Sequence, residues 1–77
     1  MKSEIELFKL AQNMVHIESK LEENISQFLR EELIVEAANI RDAIFRKGYD
    51  ANKFLEYKEI YKGLSVEEYY RFIKSLE

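Results

Sequence analysis

The chain has 77 residues, 47% hydrophobic and 35% charged, with a net charge of −3 and neither cysteine nor proline. That balance is too apolar for a disordered chain and too charged for a membrane protein, and it removes disulfides, thiolate metal sites and thiol nucleophiles. It leaves one domain, 1–77, with a stability problem, because so short a chain seldom buries enough core without a staple or self-association. A homodimer is therefore expected from the outset. No apolar run exceeds three residues, Leu33-Ile34-Val35 being one, so no membrane span is expected. Glu4 and Glu6 interrupt any apolar signal segment, which makes a cytoplasmic location the expectation. Charge is uneven: residues 1–40 hold four basic and eight acidic side chains, residues 41–77 eight basic and seven acidic. Neither half is a basic patch, which disfavours nucleic acid as a partner.

In chain order, helical spacing dominates. Ser3 and Glu6 have the spacing of a capping box. From there Leu7, Leu10, Met14, Ile17 and Leu21 recur every three or four residues, as in a coiled-coil seam, and form the candidate self-association face. The stripe falters at Asn24 and resumes on a shifted face with Ile25, Phe28, Leu29, Leu33, Ala37, Ile40 and Ile44. One helix over 4–47 would be about 65 Å long, too long for so small a domain, so a break is expected within 19–32. Asn24 with Gln27, or Ser19 with Glu22, would cap the helix that follows it. Arg46, Lys47 and Gly48 suit a helix end, and Asp50 suits the start of the next, carrying Phe54, Tyr57, Ile60 and Tyr61. Lys62 and Gly63 repeat that ending. Ser65 and Glu68 then form a second capping box, opening a helix with Val66, Tyr69, Tyr70, Ile73 and Leu76. The reading is an all-α protein, a small three- or four-helix bundle with helices near 4–22, 25–47, 51–62 and 66–76. Its long N-terminal helical region is followed by a C-terminal helical hairpin.

The parts of an active site are missing from this pattern. His16, the only histidine, has Gln12, Asn13 and Lys20 at the neighbouring helical positions, which supply no metal-ligand set. The glutamate pairs 22–23, 31–32 and 67–68 read as solvated helix faces, since acid–base work needs two carboxyls in different environments within a cleft. No glycine-rich phosphate loop occurs. No catalytic, cofactor or metal site is expected, and the chain reads as a non-enzyme. The Gly63-Leu64-Ser65 turn lies between two helices, as in a helix-turn-helix, but the second helix opens Val66-Glu67-Glu68 and would aim negative charge at phosphates.

Two surfaces remain as candidates for binding a protein partner. All five tyrosines lie in the last 29 residues. Most would fill a core, but Tyr69 and Tyr70 are adjacent and cannot share one direction, so Tyr69, Tyr70 and Phe72 mark a candidate patch. The second is Ala37 and Ala38, read as a small-residue face edged by Arg41 and Asp42, with Arg41 able to bind a carboxylate bidentately.

The run Ala37, Ala38, Ile40, Arg41, Asp42 and Ile44, with Leu21, Ile25 and Ile34 upstream, resembles the UVR motif of excision-repair and Clp-protease-associated proteins. The resemblance covers residues 21–44 and implies a helical hairpin that pairs with another hairpin. Leu33-Ile34 stands where that family commonly has an acidic residue followed by an aromatic at its turn. The function expected is a small helical adaptor or inhibitor, such as a phage or bacterial regulatory factor. The alternatives are a structural homodimer through the N-terminal seam and a nucleic-acid-binding regulator.

Overall fold

The computed structural model describes residues 2–77, with side chains from Glu4 onward. Among the described residues there are four helices and no strand: α1 (Lys2–Leu21), α2 (Gln27–Arg46), α3 (Ala51–Lys62) and α4 (Val66–Leu76). The all-α expectation holds, with four helices. The other three helices pack chiefly on α1, which lies at the centre.

The break between α1 and α2 falls at residues 22–26, inside the expected window, but neither expected cap makes it. Ser26 is the N-cap, accepting from the Leu29 backbone N–H at 3.2 Å. The end of α1 is closed through space. The Arg30 guanidinium reaches back from α2 to the carbonyls of Leu21 at 3.1 Å and Glu23 at 3.4 Å, satisfying groups that a helix end leaves open. No glycine is needed, because a cation at a helix C-terminus meets both the free carbonyls and the dipole. The Ser3–Glu6 capping box lies outside the described side chains. Glu6 itself is bonded elsewhere, to Lys47 and Tyr49.

The later boundaries follow the local signals. Gly48 has φ +71°, and Tyr49 N–H returns to the Ile44 carbonyl at 3.0 Å, closing α2. Asp50 caps α3 through the Asn52 and Lys53 amides. The Ser65–Glu68 capping box is complete in both directions. Gly63 differs from the expectation. It sits at φ −95°, in the right-handed region, where a side chain would meet nothing closer than 3.7 Å.

The core is small and aromatic. Its buried members are Leu7, Phe8, Ala11, Met14 and Ile17 from α1, Ala37 and Ile44 from α2, and Phe54 and Tyr57 from α3. Phe8 is the hub, completely buried, with ring centroids of Phe72 at 4.8 Å, Tyr57 at 5.4 Å, and Tyr61 and Tyr69 at 6.1 Å. Helices α3 and α4 thus meet as a hairpin of rings closed over α1, most directly at Tyr57–Phe72 and Tyr61–Tyr69.

The molecule is flat. Its extents are 39 × 30 × 17 Å and its radius of gyration is 13.2 Å, against about 11.5 Å for a compact chain of this length. It exposes 5610 Å², where a compact monomer of this mass exposes about 5,000 Å². The excess, about 600 Å², approaches what one side of a small protein interface covers.

Candidate protein-docking surface

The expected small-residue face does not exist as one face. Neighbouring residues on a helix point about 100° apart, and here that divides the alanines. Ala37 is buried with Ile44 in the core, while Ala38 is exposed. The exposed side of α2 continues from Ala38 through residues three and four positions away. It carries Ile34, Arg41 and Phe45, with Phe28 and Val35 beside them. Phe45 is 85% exposed, Phe28 71%, Val35 58% and Ile34 50%. Ile34 and Phe45 form one row and Val35 and Phe28 the row beside it, and four large apolar side chains on the outward side of one helix exceed the scattered exposure normal for a monomer.

Charge along this strip is ordered. Glu31 lies in its first half, and Arg41 and Asp42 in its second. Asp42, expected at the edge of the alanine face, is paired with Arg46 at 2.8 Å within its own helix. Glu31 accepts only a 3.2 Å hydrogen bond from Gln27. Arg41 is exposed and makes no hydrogen bond or ion pair among the described residues. Beside it, an apolar hollow of about 390 Å³ lies between the end of α2 and the start of α3, bordered by Phe45, Tyr49, Phe54 and Leu55.

The other sequence candidates fall differently. Tyr69 turns inward and donates to Gln12 Oε1 at 2.8 Å, and Phe72 packs on Phe8. Only Tyr70, 68% exposed, stands free of the core. The α1 stripe is no free seam: Leu7, Met14 and Ile17 are buried in the chain's own core, with Leu10 and Leu21 packed against it. Those positions face α2, α3 and α4, not a second molecule. Sequence spacing put Phe28 and Leu29 in the inward stripe of Leu33, Ala37, Ile40 and Ile44, where the structure leaves both exposed, and it assigned Ile34, Val35 and Phe45 to no docking face. The signal was their spacing, overlooked because the same helix carries a second, inward apolar stripe.

Polar side chains tie the bundle together away from this strip. The Glu6 carboxylate accepts from Lys47 and from Tyr49 Oη (2.7 Å), and these bonds, Lys47 first, hold its pKa below the ordinary carboxylate value. Tyr57 Oη donates to Glu4, and burial, then this bond, pushes the phenol to about 12. Tyr49 is raised too, mainly by its bond to Glu6. His16 Nε2 lies 2.7 Å from Tyr61 Oη. Lys58, largely covered, pairs with Glu18 at 2.8 Å and ties α3 to α1. No group of three or more metal-binding side chains occurs among the described residues, nor is any helix long and apolar enough to cross a membrane.

The tyrosines give a pH dependence of defined sign. The fold holds the Tyr57 phenol neutral, so its contribution is complete below the unfolded tyrosine value of about 10 and is lost as pH rises through about 12. Glu6 acts oppositely, stabilising above the carboxylate range and losing its effect as pH falls through its lowered value. Thermal melts followed by circular dichroism should show stability falling from about pH 10 to pH 12. In Tyr57→Phe, that alkaline fall should be shallower, with a loss at neutral pH of about 1 kcal/mol. An unchanged alkaline limb in the variant would contradict the assignment.

No protein-family model, curated protein or solved structure matches the chain. Helix α2 runs unbroken through Leu33 and Ile34, where the UVR resemblance places its hairpin turn.

Proposed function

We propose that this chain is a non-enzymatic protein–protein interaction module, a small helical adaptor or inhibitor, and that the outer strip of α2 is its docking surface. The observation that carries the reading is the run of Phe28, Ile34, Val35 and Phe45, all at least half exposed on one helix whose opposite side is in the core. Exposed aromatic side chains with an arginine among them are what interface anchors are made of. Ala38 at the strip's centre allows a partner helix to approach closely, and Arg41 offers a bidentate fork to a partner carboxylate.

Capture from the native cell tests this. Tagged wild-type chain should retain a protein partner, and Ala38→Arg, which places a long cation at the strip's centre, should lose it while keeping the wild-type melting temperature. Equal recovery by the folded variant would remove this face from the function.

A further inference from the structure

We propose that a second copy of this chain docks on the outer strip of α2, the two helices pairing antiparallel. This rests on reading that strip as a protein-docking surface and names its occupant. The row has heptad spacing, with Ile34, Ala38 and Phe45 as its apolar members: Gln27, Glu31, Ile34, Ala38, Arg41 and Phe45 are spaced four, three, four, three and four residues apart. Glu31, Ala38 and Phe45 take one core position of the heptad, and Gln27, Ile34 and Arg41 the other.

In an antiparallel pair each position of one kind lies over the other kind in the partner. With the two-fold axis at residue 36, Glu31 meets the partner's Arg41, Ile34 meets Ala38, and Gln27 meets Phe45. Each contact occurs twice, as two-fold symmetry requires. The small alanine faces the branched isoleucine, so the helices can approach at the centre, and the free Arg41 fork receives a carboxylate.

Charge disfavours the two nearest alternatives. A parallel pair would set Glu31 on Glu31 and Arg41 on Arg41. The neighbouring seam through Phe28, Glu31, Val35, Ala38, Asp42 and Phe45, paired antiparallel, would set Glu31 on Asp42. Like charges facing one another disfavour both. A polar pair within a heptad seam also fixes register at some cost in affinity.

The surface balance fits the same occupant. The chain exposes about 600 Å² more than a compact monomer of its mass, and its core has only nine buried apolar side chains among the described residues. Helix α2 has 20 residues and is about 30 Å long. A contact of that length lies at the lower end of stable interfaces, so the dimer is reversible and concentration-dependent. Self-pairing and docking of another protein on this strip exclude each other.

Light scattering on the purified full chain across a concentration series decides it. The wild type should move from the mass of one chain to that of two as concentration rises. Glu31→Arg and Arg41→Glu should each weaken self-association by roughly tenfold or more, since each places like charges together twice. Both positions are exposed, and circular dichroism should confirm wild-type helicity. Mixing the two variants restores opposite charges at both contacts of a heterodimer and should recover the wild-type dimer. A wild type that stays at the mass of one chain throughout overturns the proposal. So does a dimer that persists in Arg41→Glu, or a mixture that stays monomeric. A monomeric wild type that still captures another protein through Ala38 sinks the dimer and leaves the proposed function standing, whereas a dimer that captures nothing does the reverse.

Discussion

Replacing Phe8 with alanine is expected to remove most of the stability of this fold. Phe8 is fully buried and its ring touches the rings of Tyr57, Tyr61, Tyr69 and Phe72, drawn from both helices of the C-terminal hairpin. Truncating a buried phenylalanine costs about 3–5 kcal/mol, because the lost transfer energy is joined by an unfilled cavity. A 77-residue domain has about 4–12 kcal/mol in all. No cysteine is present to add a covalent staple. Phe8→Ala should therefore melt at a much lower temperature and lose its near-ultraviolet dichroism, since the tyrosine rings would lose their fixed packing. A variant that unfolds within a few degrees of the wild type would show that the ring cluster is not the centre of the fold.

The second large effect separates two adjacent residues. Ala37→Arg places a guanidinium at a position 6% exposed, within the apolar core cluster. An unpaired charge in such a place costs at least about 3–5 kcal/mol, so the protein should fail to unfold cooperatively. Ala38→Arg alters an exposed position and should move stability by no more than about 0.5 kcal/mol. Denaturant titration of the two proteins side by side checks this. Equal destabilisation would mean that both alanines face the core and that α2 has no free strip at this point.

That pair also shows what the sequence could and could not say. Where structure is set by neighbours in the chain, it was legible: Gly48 closes α2, Asp50 opens α3, and Ser65 with Glu68 opens α4. Where a boundary is made through space, it was not. The end of α1 is closed by Arg30, nine residues beyond the Leu21 carbonyl it bonds, and no pattern within α1 announces that. The candidate site suffered from the same limit. Helix α2 has apolar residues on two sides, and periodicity reveals stripes without saying which one a neighbouring helix covers. The α1 stripe was found correctly, but its cover is the rest of the chain. The excess of exposed surface is a property of the folded shape alone.

The most direct test of the central claim is a photo-crosslinking scan along α2 in the native cell, with a photoreactive side chain placed in turn at each residue from 27 to 46. The expected yield of protein adducts rises and falls with the helical repeat, with maxima at 34, 38 and 45 and minima at the inward positions 33, 37, 40 and 44. A yield without that periodicity, or adducts no more frequent from α2 than from exposed Glu59 of α3, would contradict the assignment of this strip as the docking surface.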